Sequence, residues 1–281
     1  MTYEIEYAYT SHVGKIRANN EDNFWCCGES LPAQNFGTSG IFAGNASQKT
    51  LPVLAVFDGM GGESCGEVAA ETAVREFGRF YGENREKLKK FPEEFLEEVC
   101  DSMNRQVVRY GEENRIGSMG TTTAFAAFSR DGVYVGNLGD SRVYCSEKDR
   151  FQQISVDHVI GRSFLGKPPL TQYLGIMEEG LVLEPCITKH PYVAGNRYLL
   201  CSDGMTDMLS DGEIADILTR EIPLEETVSV LLERVLEKGG RDNVTIILCE
   251  IKETEKRFWS RWKKHSREDK LEAKQHEEQN E

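Results

Sequence analysis

Short apolar runs, most of them closed by Gly, Asp or Asn, constrain this chain more than any other feature of its sequence. They fall at residues 51–57, 122–128, 132–137, 142–145, 197–201 and 244–251. Runs this brief read as strands, and several are joined tightly enough to be antiparallel neighbours. Helical spacing of apolar residues covers 65–80, 92–110 and 224–237, with Pro92 at a first helical position where its missing N–H is no loss. Ser210 and Glu213 have capping-box spacing ahead of Ile214, Ile217 and Leu218, which predicts a short capped helix. Residues 158–196, rich in Gly and Pro, form the least regular part, and a long loop-rich stretch is usually functional. This order of elements predicts an antiparallel sheet protein covered by helices, not an alternating parallel one. With 281 residues, 39% of them apolar, one large core or two small ones can form. No repeat and no Pro-rich or Gly/Ser-rich linker is visible, which favours one domain.

The net charge of −14 argues against nucleic acid or an anionic membrane as the main partner of the globular part. The eight cysteines lack any CxxC spacing and read as reduced thiols of a reducing compartment. The first ten residues carry no signal pattern, and no stretch approaches the ~18 apolar residues that span a bilayer. Both point to a cytoplasmic protein. From about Lys252 the composition changes: residues 252–267 carry seven basic and two acidic residues around Phe258, Trp259 and Trp262, and residues 268–281 two basic and six acidic ones. This charged tail reads as a solvated segment; the sharper alternative is docking on a membrane surface or a partner protein.

Four aspartates carry the chemical signal. Asp22, Asp58, Asp203 and Asp242 lie far apart in sequence yet near strand ends or in turns rich in Gly and Asn. Asp58 follows an apolar strand and opens Gly59-Met60-Gly61-Gly62, where glycines let the backbone bend and its carbonyls approach a ligand. Asp203 stands in the same relation to residues 198–201, and Asp242 immediately precedes the last strand. Singly, each suits a turn or a cap. Brought together by neighbouring strands, they would repel one another unless a cation joined them. An oxygen-only donor set suits magnesium or manganese rather than zinc or copper.

The segments that carry these residues resemble, in order and over nearly all of residues 5–251, the metal-dependent protein phosphatases of type 2C. They are Arg17-Ala18-Asn19-Asn20-Glu21-Asp22-Asn23, Val56-Phe57-Asp58-Gly59-Met60-Gly61-Gly62, Met119-Gly120-Thr121-Thr122 and Asn137-Leu138-Gly139-Asp140-Ser141-Arg142. Ser155-Val156-Asp157-His158, Thr171-Gln172-Tyr173-Leu174-Gly175, Leu200-Cys201-Ser202-Asp203-Gly204 and Gly240-Arg241-Asp242-Asn243-Val244-Thr245 follow.

The resemblance implies an α+β fold, a four-layer α/β/β/α sandwich in which two antiparallel sheets are flanked by antiparallel helices. Residues 1–251 would form the catalytic domain with a flap near 158–196, and residues 252–281 the tail. It also implies a site for two ions, Mn2+ or Mg2+. Asp58 bridges both, Asp203 and Asp242 complete one, and the Gly59 carbonyl with Glu21 or Asp22 serves the other, partly through water. Arg17 would grip the substrate phosphate with its guanidinium fork. Two cations ~3.5–4 Å apart would activate a bridging water for in-line attack on phosphoserine or phosphothreonine, with no phosphoenzyme. A weaker third ion would use Asp140 and Asp207.

Met60 stands where many animal members have a histidine, and Glu63 where bacterial ones often do, so the general acid is unassigned. Arg142, His158, Thr121 and Thr122 read as structural. The expected partners are phosphorylated proteins, among them a serine/threonine kinase, met by a monomer. The rival readings are a pseudophosphatase that binds without turnover and a hydrolase of small phosphate esters; no P-loop or dinucleotide fingerprint supports the latter.

Overall fold

The structure, a computed structural model, describes residues 2–61, 65–148, 150–161, 167–177 and 182–254. Two antiparallel sheets stack face to face. The first runs β3 (Phe42–Ser47), β1 (Tyr3–His12), β12 (Val244–Glu253), β11 (Arg197–Cys201), β8 (Arg142–Glu147) and β9 (Arg150–Gln153). The second runs β10 (Cys186–His190), β7 (Val133–Leu138), β6 (Thr123–Phe128), β4 (Val53–Gly61) and β2 (Asp22–Cys26), with β5 (Met119–Thr121) paired to the far end of β4.

The apolar runs are continuous rather than alternating because their strands are buried on both faces. In β4, Leu54 and Val56 point between the sheets while Val53, Ala55 and Phe57 meet the helices outside. In β11 and β12, Tyr198, Leu200, Ile247 and Cys249 face inward, and Leu199, Cys201, Ile246 and Leu248 face outward. Helices α1 (Gly66–Glu83), α2 (Arg85–Lys90) and α3 (Pro92–Asn114) cover the second sheet. Helices α4 (Asp203–Thr206), α5 (Asp211–Leu218) and α6 (Leu224–Glu237) cover the first. The expected four-layer α/β/β/α sandwich is what the chain forms. Helix α5 starts with the full capping box: the Ser210 hydroxyl accepts from Glu213 N, and the Glu213 carboxylate accepts from Ser210 N at 3.1 Å.

Several features differ from the sequence reading, and these bear on the site and the domain bounds. The backbone does not bend at Gly59; β4 runs through Asp58 to Gly61, and β2 and β5 extend its pairing. The irregular stretch 158–196 contains a strand, β10, which closes one edge of the second sheet by pairing with β7. The last strand continues to Glu253, two residues beyond the expected domain end. The two readings of the tail fall, from residue 255 onward, outside the described residues.

Candidate metal centre

One end of the sandwich gathers the acidic residues. Asp22 of β2 and Asp58 of β4 are register partners in one sheet. In the other sheet, β11 leads through Ser202 into Asp203, the first residue of α4, and Asp242 sits in the turn ahead of the adjacent β12. The resulting cleft of about 320 Å³ is lined by Arg17, Glu21, Asp58, Asp140, Asp203 and Asp242, among others.

The backbone around Asp58 is fixed by groups that the sequence reading took as structural. Thr122 N and the Thr121 hydroxyl donate to Asp58 O at 2.9 and 3.0 Å, and Asp58 N donates to the Thr122 hydroxyl at 3.1 Å. That hydroxyl is tied in turn to Ser141 at 2.6 Å. Gly59 is needed for close approach, not for a bend. A Cβ there would lie 2.1 Å from Gly66 O and 2.5 Å from Glu21 O. The same packing puts the Gly59 carbonyl, the first residue of α1 and the Glu21 carboxyl side by side: a Cβ on Gly66 would meet Gly59 O at 2.8 Å and Glu21 Cδ at 3.0 Å. This juxtaposition favours Glu21 as the side chain that acts with the Gly59 carbonyl.

Asp22 lies deeper. Its Oδ2 accepts from the hydroxyls of Ser202 and Thr245 at 2.7 and 2.8 Å. Burial pushes its carboxyl up to about 7 against those two hydrogen bonds. Asp58 is held well above the usual carboxylate range by burial first, then by Asp203, Asp22 and Asp140. Burial, followed by Asp203, pushes Asp140 up to about 6, and burial raises Glu21 against the pull of Arg17. Such a concentration of acid is what a bare cation site looks like electrostatically.

Two basic side chains answer it. Arg17 pairs with Asp242 at 2.8 Å. Lys167 bonds Asp203, lies 2.8 Å from Asp207 Oδ2 and is 3.8 Å from Asp242 Oδ2. No three acidic, histidine or cysteine side chains among the described residues stand round one point closely enough to ligate an ion. The donor set itself fits a hard divalent cation: carboxylates and one carbonyl, with no histidine or thiol in the cleft lining among the described residues.

Sequence reasoning missed Lys167, which has no motif around it. Its one legible signal is being the only basic residue between Arg162 and Lys189. It also missed Asn243, whose Oδ1 accepts from Glu21 N at 2.8 Å and whose Nδ2 donates to Val13 O and Asn19 O at 2.9 Å each. Asn243 thereby ties the loop carrying Arg17 and Glu21 to the turn carrying Asp242. Gly14, in that loop at φ +82°, lets the backbones touch; a Cβ there would fall 2.3 Å from Asp242 O.

Arg142 and His158, read as structural, make local contacts. Arg142 pairs with Asp157 at 2.6 Å, and His158 Nδ1 accepts from Gly139 N at 3.2 Å. Met60 lines the cleft, while Glu63 lies outside the described residues.

Comparison with known proteins gives the family. The family model described as protein phosphatase 2C matches residues 42–249, and the chain belongs to that family. It is 32% identical over 253 residues to the serine/threonine phosphatase stp of Listeria innocua, covering 84% of this chain and 92% of that one. It is 26% identical to the protein phosphatase PhpP of Streptococcus pneumoniae over 89% of this chain and 98% of the relative. Among solved structures it resembles the catalytic domain of the serine threonine protein phosphatase PstP in complex with two manganese ions. That match has a TM-score of 0.70 at 28% identity and covers 90% of this chain and all of the other.

Proposed function

We propose that this chain hydrolyses phosphoserine and phosphothreonine in proteins at the carboxylate cluster, by direct attack of water and without a phosphoenzyme. The observation that carries the reading is the convergence of Asp58, Asp203 and Asp242 from two sheets on one cleft with Glu21 and the Gly59 carbonyl beside them. As a type 2C serine/threonine phosphatase, the chain takes phosphoproteins as substrates; a serine/threonine kinase among them is part of the proposal. Family membership and the two manganese ions of the PstP structure support two Mn2+ or Mg2+ ions here.

Bound, the two ions would supply an activated water and screen the phosphoryl charge. Asp58 would reach both, Asp203 and Asp242 would hold one, and Glu21 with the Gly59 carbonyl would hold the other. Asp22 backs the site from beneath, its orientation set by Ser202 and Thr245. Arg17, half exposed at the rim, is free to exchange Asp242 for a phosphate oxygen pair, since a planar fork suits either partner. All eight cysteines are free, which supports the reducing, cytoplasmic setting. The acidic surface supports a protein substrate over a polyanion, and the chain is taken as a monomer.

The test is phosphate release from a phosphothreonine peptide by the purified chain with manganese and with chelator, together with acid quenching during turnover of labelled peptide. Release that needs manganese, with no label left on the protein, is expected. Turnover in chelator, or a labelled protein, would overturn the mechanism. A metal-loaded, folded chain that binds the peptide without releasing phosphate would be a pseudophosphatase.

A further inference from the structure

Lys167 sits on a loop whose base is well held. Val159 and Leu170 form a bridge across it, Ile160 N donates to Pro169 O at 3.0 Å, and Thr171 N donates to His158 O at 2.8 Å. His158 N in turn donates to Gly139 O at 3.0 Å, which ties the same base to the turn carrying Asp140. The base therefore sits beside the Asp140 turn, and Lys167 lines the cleft. There the Lys167 ammonium meets Asp203 and Asp207, with Asp242 just beyond. Asp140 lines the same cleft as Lys167. A compact ammonium with three donors is suited to several carboxylates at once.

These are the aspartates, Asp140 and Asp207, at which the resemblance implies a weak third ion. We propose that in this chain the cation at that end of the cleft is its own Lys167, so that it binds two divalent ions and not three. The inference rests on the metal-centre reading above. An ammonium 2.8 Å from Asp207 takes up one of the two ligands, Asp140 and Asp207, that a third ion would use and repels any dication placed between them. Lys167 meets Asp203 and, at 3.8 Å, Asp242 through Oδ2 alone, so Oδ1 of Asp203 stays open to the ion those two would hold, and among the described residues no contact of Lys167 involves Glu21 or the Gly59 carbonyl.

Manganese binding to the full chain, followed by calorimetry and by the electron paramagnetic resonance signal of free Mn2+, tests this without measuring activity. Wild type is expected to bind two ions. Lys167→Ala should gain a third site, at least ~tenfold tighter than any third binding seen in wild type, as removal of one charge from an ion's surroundings implies. Lys167→Arg, which keeps the charge, should stay at two. Lys167→Met keeps the stem and replaces the alanine variant if that one unfolds. Three ions on wild type, no gain on loss of the charge, or an equal gain in Lys167→Arg would each overturn the inference while leaving the metal centre intact. No manganese on any of these proteins would overturn the metal-centre reading and this inference with it.

Discussion

Asn243 shows how one amide organises a site assembled from distant segments. It has 4% exposure and spends three hydrogen bonds on the loop of residues 13–21. Removing it leaves Glu21 N, Val13 O and Asn19 O without their partner. Asn243→Ala should cost ~2–3 kcal/mol in urea unfolding, the range for leaving buried polar groups unpaired. Manganese affinity should drop with it, since Glu21 is no longer fixed against Gly59. A variant as stable as wild type would show that the loop is held by something else. Arg17 is the complementary case, because its partner Asp242 is also an expected metal ligand. Arg17→Ala should lower kcat/KM for a phosphothreonine peptide ~10–100-fold, as loss of a charged hydrogen-bond pair implies, with the fold unaffected. Arg17→Lys should recover little, because a point charge lacks the fork. Kinetics equal to wild type would remove Arg17 from phosphate recognition.

At the scale of elements, local chemistry was legible and sheet neighbours were not. The 197–201 strand and the 224–237 helix match β11 and α6 residue for residue, and the Ser210 capping box formed as its spacing implied. Ser210→Ala should cost ~1 kcal/mol of stability and leave metal-dependent turnover unchanged; a cost near zero would mean that packing alone fixes α5. The first strand, β1, escaped notice although Tyr3, Ile5, Tyr7 and Tyr9 alternate toward the core between the sheets. Its identity as a central strand depends on partners more than 200 residues away in β12, which no local pattern announces. The same holds for β10, a half-exposed edge strand inside a Gly- and Pro-rich stretch. Aspartates at the ends of apolar runs pointed to the candidate metal site. Its supports did not, since Gly66, Asn243 and Lys167 act through close backbone approach and long-range contacts. Asp58 was placed at a bend for the same reason: glycine reads as a turn until its neighbours are known.

For the whole molecule, a cleft that buries this many carboxylates makes stability depend on pH and on metal. With burial as the first cause, Asp22 is pushed up to about 7 and Asp140 to about 6. In metal-free protein the folded chain therefore binds more protons than the unfolded one from about pH 4 up to those values, and stability falls as pH rises through that window. Manganese needs the ionised ligands, so its stabilising increment grows over the same range. Thermal melts of chelated and manganese-loaded protein between pH 5 and 8 should show the first falling and the gap between them widening; a chelated melt that rises with pH would contradict this. On the function proposed above, these carboxylates hold the ions that carry out phosphate hydrolysis, and Asp58 is the residue through which both would be lost. The most direct measurement is manganese-dependent phosphate release from a phosphothreonine peptide by wild type and by Asp58→Asn, each shown to be folded. Release by wild type that falls at least ~1000-fold in the variant, about 4 kcal/mol of transition-state stabilisation, is the predicted result. Comparable release by the two proteins would contradict it.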